Sequence, residues 1–312
     1  RLSERIPMAE STHRSGFIAI VGRPNVGKST LMNLLVGEAV AIATHKPQTT
    51  RDRIRGIRTE EESQVIYVDT PGIHEARTLL NRYMVDLAVA TLLDTDLVYL
   101  VIDAAHMAAK PEQVSEQTSR IVEAIAEAGT PALAVLNKVD LVPDKAALLP
   151  MIETLQALHS FEAIVPISAQ KEVGIEALDA ESLKRLPEGP QLFPEDQLTD
   201  RPMRFLASEM IREQLFLQLK QELPYHTAVG VDSWTEEGQL VVVQATIHVG
   251  RESQKGMVIG KRAARLKSIG QAARVRLERF LERKVYLDLR VRVEAKWTER
   301  GAGLRKLGYD GD

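Results

Sequence analysis

The chain has 312 residues, enough for two domains that each bury a core, with 44% hydrophobic and 27% charged residues. It contains no cysteine, which excludes disulfides, zinc–thiolate sites and thiol nucleophiles together and suits a reducing cytoplasm. The net charge of −3 hides an asymmetry: residues 251–306 hold 17 basic against 6 acidic side chains, a net +11, and the remainder carries −14. An acidic front and a basic back direct the C-terminal part toward a polyanion.

The first fifteen residues, polar and mixed in charge, read as a flexible extension and not as a secretory signal. Position 1 is not methionine, so the chain is expected to be trimmed or to start upstream of the native start, for which Met8 is a candidate. No apolar run approaches the length of a membrane-spanning helix. From 16 to 186, short apolar runs alternate with helical patterns. Strands are expected at Phe17–Val21, Arg53–Arg58, Gln64–Asp69, Leu97–Ile102, Ala132–Leu136 and Ala163–Ile167, with helices near 29–37, 78–93, 112–128, 145–159 and 174–186. The runs at 97–102 and 132–136 have no polar face, as expected of parallel strands covered on both sides. The charged turn 59–63 makes the second and third strands an antiparallel hairpin. The pattern is a doubly wound α/β sheet, with ligands expected at the C-terminal ends of its strands.

The first strand runs into Gly22-Arg23-Pro24-Asn25-Val26-Gly27-Lys28-Ser29-Thr30, and a helix leaves it. Strand, glycine loop and helix in that order form a phosphate-binding loop. Its backbone N–H groups turn inward on a β-phosphate, and the helix N-terminus adds positive field. Lys28 can reach the β- and γ-phosphates, and the Ser29 hydroxyl can ligate Mg²⁺. At the end of the third strand, Asp69-Thr70-Pro71-Gly72 is placed for Asp69 to hold Mg²⁺ through water and for the Gly72 N–H to sense a γ-phosphate. Asn137-Lys138-Val139-Asp140 ends the strand 132–136. The Asp140 carboxylate can accept two hydrogen bonds from guanine, a pair adenine does not offer. Lys138 can lie along the base, and Asn137 can tie this loop to the phosphate loop. Ser168-Ala169 ends another strand, where the Ala169 N–H can meet the guanine O6.

Together these elements resemble the translation-factor-like class of GTPases. Thr49-Thr50-Arg51-Asp52 resembles that class's first switch, and by resemblance Thr50 ligates Mg²⁺, with Thr49 the alternative. Lys28, Thr50 and Gly72 are then the residues that carry hydrolysis. Ile73 stands where Ras-like enzymes carry a water-positioning glutamine, which implies slow intrinsic turnover. Asn25 matches the asparagine by which potassium-activated relatives hold K⁺.

Four prolines between 187 and 202 mark a linker, and 203–312 form a second domain. Its pattern is a helix at Met203–Leu223, strands at Ala228–Trp234 and Gln239–Val249, a basic helical region at Met257–Arg283, and a last strand with Val285, Leu287, Leu289, Val291 and Val293 on one face. The run Gly256–Gly270 resembles a type II KH domain, in which a GXXG turn clamps single-stranded RNA. Here the turn reads Gly260-Lys261-Arg262-Ala263, with alanine in place of the second glycine, and Arg265 and Lys267 follow as further phosphate contacts.

A GTPase joined by a proline-rich linker to a type II KH domain is similar to a family of bacterial ribosome-assembly GTPases, over about 16–309. The most specific matches are Gln48-Thr49-Thr50-Arg51 and Lys255–Gly270, with Lys284–Leu289 and Leu307-Gly308-Tyr309 as further ones. The resemblance implies GTP and GDP as ligands, and binding near the 3′ end of small-subunit ribosomal RNA in 30S assembly. It also implies a cytoplasmic monomer with loose inner-membrane association; the sequence itself shows no amphipathic anchor. A tRNA-modification GTPase shares the first switch, but its C-terminal cysteine and folate domain have no counterpart in a chain without cysteine. A signalling GTPase with a lipid-binding basic tail is the other alternative, separable by comparing RNA with anionic vesicles.

Overall fold

The computed structural model describes residues 13–309 apart from 45, 47, 48, 73–78, 111, 300 and 308. The expected extension lies almost wholly outside the described residues, as do Gln48 and Ile73. The first half contains β1 (Arg14–Gly22), α1 (Lys28–Val36), β2 (Ile54–Glu60), β3 (Ser63–Asp69), α2 (Leu79–Leu93), β4 (Leu97–Asp103), α3 (Ala104–Met107), α4 (Glu116–Ala128), β5 (Ala132–Asn137), α5 (Leu148–Leu158), β6 (Ala163–Pro166) and α6 (Ile175–Leu183). The strands form one sheet in the order β2-β3-β1-β4-β5-β6. Only β2 runs antiparallel, pairing with β3. Chain order reverses across β1, so its C-terminal end opens at the topological switch point where ligands bind.

Two apolar clusters cover the two faces of this sheet. One contains Ile18, Ile20, Leu31, Tyr67 and Val135, and the other Ala19, Val21, Leu100, Ala134 and Leu136. Alternate residues of β1 and β5 therefore enter opposite cores, which is why those runs show no polar face.

Differences from the expected elements have local causes. The helix expected from 112 starts at Glu116, because the Ser115 hydroxyl accepts from the Thr118 N–H at 3.2 Å and caps it. The unexpected α3 is capped by Asp103, which accepts from the His106 N–H at 2.9 Å. The proline-rich segment lies along the exposed edge of β2. Gln64 bonds Leu192 and Phe193, the Ile57 N–H donates to the Leu198 carbonyl at 2.8 Å, and Arg55 pairs with Asp200 at 2.6 Å. Covering an edge strand in this way satisfies polar backbone that a neighbouring chain could otherwise pair with.

The second half contains α7 (Met203–Gln218), β7 (Thr227–Glu237), β8 (Leu240–Val249), α8 (Glu252–Ile259), α9 (Ala264–Leu281), β9 (Lys284–Val293) and α10 (Gly301–Lys306). α7 ends short of the expected 223: Leu219 is extended, and a 3₁₀ turn with Pro224 at its start follows. The basic helical region is broken at Gly260 into α8 and α9. β7 and β8 are antiparallel, β8 and β9 parallel. The helices pack on one face of this three-stranded sheet through Ile211, Leu215, Ala245, Ile247, Val258 and Ile269. A small cluster of Leu80, Ala228, Trp297 and Leu304 joins the halves. Among the described residues no helix is long and apolar enough to cross a membrane.

Candidate functional site

β1 stops at Gly22 and α1 starts at Lys28, and the loop between them turns on two glycines, Gly22 at φ 150° and Gly27 at φ 102°. A Cβ on Gly22 would stand 2.4 Å from the Val101 carbonyl oxygen, and one on Gly27 2.4 Å from Asn137 Nδ2. Only glycine lets the loop bend this tightly against its neighbours. Lys28 Nζ donates to the Gly22 and Arg23 carbonyls, 3.1 Å each. Burial pushes its ammonium down to about 8, opposed by the Asp69 carboxylate.

Ser29, Thr50 and Asp69 converge beside it. Ser29 Oγ and Thr50 Oγ1 donate to the same oxygen, Asp69 Oδ2, at 2.7 and 2.9 Å, and the hydroxyls lie 3.2 Å apart. Asp69 is fully buried, and its other oxygen, Oδ1, has no hydrogen-bond partner among the described residues. Burial raises its carboxyl above the ordinary value, with Lys28 the main opposing influence. Two hydroxyls and a carboxylate with an orphaned buried oxygen form a hard-oxygen donor set, so the residues fit Mg²⁺. Of the two switch threonines, Thr50 supplies the hydroxyl; the Thr49 carbonyl instead accepts from Arg212. Pro24, Asn25, Thr30 and Gly72 line the same cavity. Gly72 packs so closely on Pro24 that a Cβ would lie 3.1 Å from that ring. Thr70 holds the turn by donating to the Ile20 carbonyl at 3.0 Å, and Pro71 is buried after it. Arg23 points elsewhere, donating to Gln117 Oε1 on α4 at 3.1 Å.

The base-side residues meet at the ends of β5 and β6. Asn137 Nδ2 donates to the Val26 carbonyl at 2.9 Å, tying this loop to the phosphate loop. Lys138 is left-handed, at φ 64°, and its ammonium binds Asn25 O and Asp103 Oδ2, both at 2.6 Å. Ser168 Oγ donates to Asp140 Oδ1 at 2.6 Å. The Ala169 N–H, expected at the guanine carbonyl, donates instead to Asn137 Oδ1 at 3.0 Å. Asn137 is 2% exposed, so its carbonyl takes the donors within reach.

In the second half, α8 ends at Gly260, φ 72°, and Lys261 and Arg262 project exposed from the turn. Ala263 is left-handed, at φ 59° and ψ 18°, where an L-residue is strained and glycine is not. Ala263→Gly is therefore expected to raise stability by about 1 kcal/mol, read from the urea midpoint. An unchanged or lowered midpoint would show that the turn is relaxed as it stands. Lys267 is exposed on α9, whereas Arg265, expected on phosphate, donates to the Met257 carbonyl at 2.6 Å. The last turn of a helix leaves carbonyls without intrahelical partners, and Arg265 satisfies one of them.

Comparison with known proteins places both halves. The profile of a family described as "50S ribosome-binding GTPase" matches residues 17–138, and one described as "KH domain" matches 222–298. GTPase Era of Syntrophus aciditrophicus is 49% identical over 299 residues, covering 95% of each chain. GTPase Era of Trichlorobacter lovleyi is 49% identical over 304 residues, 97% of this chain and all of the other. The chain belongs to the GTPase Era family. Its fold matches Aquifex aeolicus Era bound to GDP·AlF₄⁻ with a TM-score of 0.90 at 38% identity, over 95% of this chain and 99% of that one. An Era in complex with MgGDPNP and nucleotides 1506–1542 of 16S ribosomal RNA matches equally, at 0.90 and 38%.

Within this Era-family chain, sequence reasoning missed Asp103 as the anchor of Lys138 and Ser168 as the anchor of Asp140. Aspartate at the end of a buried strand was a usable signal for the first. Arg212 on Thr49 left no signal, since its partner lies 163 residues away.

Proposed function

We propose that this chain hydrolyses GTP and grips the 3′ end of small-subunit ribosomal RNA through its KH half, as a switch in 30S assembly. The observation that carries the reading is the meeting of Ser29, Thr50 and Asp69 beside Lys28 at the switch point of the sheet. The RNA part is supported by the relative solved with MgGDPNP and nucleotides 1506–1542 of 16S ribosomal RNA, and by the exposed Lys261 and Arg262.

Ser29 and Thr50 would hold Mg²⁺ directly and Asp69 through water, and the ion would supply positive charge beside the phosphates. Lys28 exchanges its loop carbonyls for those phosphate oxygens, and the phosphate-loop N–H groups cradle them. The Gly72 N–H meets the γ-phosphate, and Asp140 reads the guanine edge with Lys138 beside the base. No side chain is assigned to orient the attacking water, since position 73 is isoleucine, and turnover is slow. Acting on ribosomal RNA, the chain would work in the cytoplasm, with inner-membrane contact peripheral.

Phosphate release from GTP tests the reading. It is expected to need Mg²⁺ and to fall at least about tenfold in Thr50→Ala while GDP binding persists, because the first switch engages only the γ-phosphate state. Equal loss with both nucleotides would contradict it. Asn25 lines the phosphate cavity with its carbonyl already held by Lys138, so K⁺ would be bound by the amide side chain. Hydrolysis is then faster in K⁺ than in Na⁺ at equal ionic strength, and Asn25→Ala removes the difference. Equal wild-type rates in the two salts would discard the cation while leaving the GTPase intact.

A further inference from the structure

Thr50 is followed by Arg51, which is 3% exposed although it leaves a loop. Its guanidinium is enclosed by the second half of the molecule. Nη1 donates to the Thr227 carbonyl at 2.6 Å, and Nη2 to those of Tyr225 and Pro224 at 2.8 and 3.3 Å. The Tyr309 side chain also favours the charged form of this group. The rings of Trp297 and Phe216 lie 5.6 and 6.0 Å from its Cζ.

The grip is repeated along the same loop. Arg212 of α7, paired with Glu209 at 2.5 Å, donates to the Thr49 carbonyl, and Lys46 donates to the Phe216 and Leu219 carbonyls where α7 ends. Phe216 and Leu219 lie where the end of α7 leaves carbonyls without intrahelical partners. Residues 49–53 have neither helix nor strand to hold them. Withdrawing the guanidinium would take a charged donor from three carbonyls at once, of which Pro224 keeps the Thr227 hydroxyl at 2.7 Å.

We infer that Arg51 is a positioning residue for GTP hydrolysis: carbonyls of the RNA-binding half hold its guanidinium, and the guanidinium holds the Thr50 hydroxyl against Ser29 and Asp69. The KH half is thus a structural part of the nucleotide site. The inference rests on Thr50 as the metal-side hydroxyl. Arg51 matters where Thr50 matters, with a γ-phosphate present, and not for GDP. Lysine does not replace it, because one ammonium cannot reproduce the planar fork that spans separate carbonyls.

The test uses the full chain with Arg51→Lys, Tyr309→Phe and Thr50→Ala. It measures affinity for GDP and for a non-hydrolysable Mg·GTP analogue, kcat and KM for phosphate release, and Tm. Arg51→Lys and Thr50→Ala are expected to lower kcat and the analogue-to-GDP affinity ratio about tenfold or more, with GDP affinity within about twofold of wild type. Tyr309→Phe, which deletes one hydroxyl, moves both the same way by about two- to fivefold. A wild-type ratio and kcat in Arg51→Lys and Tyr309→Phe beside a loss in Thr50→Ala would overturn the inference and leave the Thr50 reading standing, even if Tm fell. A wild-type ratio in Thr50→Ala would overturn both. If Arg51→Lys does not fold, the Tyr309→Phe ratio decides.

Discussion

Lys28→Ala is expected to weaken GTP and GDP together by on the order of 2 kcal/mol or more, about 30-fold, in titration calorimetry. The ammonium sits at the mouth of the phosphate loop with only the Gly22 and Arg23 carbonyls as hydrogen-bond acceptors in the described contacts. Phosphate oxygens replace those neutral acceptors with charged ones, so the contact strengthens on binding. Burial also sets a pH signature. Lys28 is lowered to about 8 in the free chain, while bound phosphates favour its charged form. Above that pH the free protein has lost the proton that the complex holds, so binding takes one up and affinity falls as pH rises. The same depression makes the free fold more stable as pH rises from about 8 toward the ordinary lysine value, because there the unfolded chain binds more protons. Lys28→Ala should show neither effect. Unchanged affinity in that variant would remove the phosphate-loop assignment.

Asp140→Asn is expected to trade GTP for xanthosine triphosphate. The Ser168 hydroxyl donates to one carboxylate oxygen at 2.6 Å and fixes the group, which would then face the base. Guanine presents an N–H pair there, and an amide in place of the carboxylate sets an NH₂ against that pair. GTP affinity should fall by about two to three orders of magnitude, while xanthine, with a carbonyl where guanine has its amine, recovers the contact. Competition between the two nucleotides measures the change directly. A variant that keeps its original preference for GTP would place base reading elsewhere.

What the sequence shows and what it hides divide along physical lines. β4 and β5 were legible because both their faces are buried, and the hairpin β2–β3 because a charged turn separates two short strands. Ser29 and Asp69 could be paired from residue type and order, although 40 residues separate them. The choice of Thr50 over Thr49 came from resemblance and acquires a geometric reason only in three dimensions. Boundaries depended on local detail: Ser115 starts α4 later than periodicity implied, and α7 stops at Gln218, where Leu219 turns extended. The bonds of the Ala169 N–H and the Arg265 guanidinium within the chain follow from acceptors that only the fold brings near. The Arg51 enclosure, reaching residues 173 to 176 positions away, leaves no local trace.

Affinity for a labelled RNA copying the 3′ end of the small-subunit ribosomal RNA, measured against salt concentration, tests the two-site account most directly. Wild-type log affinity should fall linearly with log salt. Replacing Lys261 and Arg262 by Ala should flatten the slope by roughly 1.4, since each single-strand phosphate contact contributes about 0.7. The same double variant should keep wild-type GTP affinity, because its turn lies outside the nucleotide site. RNA binding that is absent at low salt, or a slope indifferent to Lys261 and Arg262, would contradict the account.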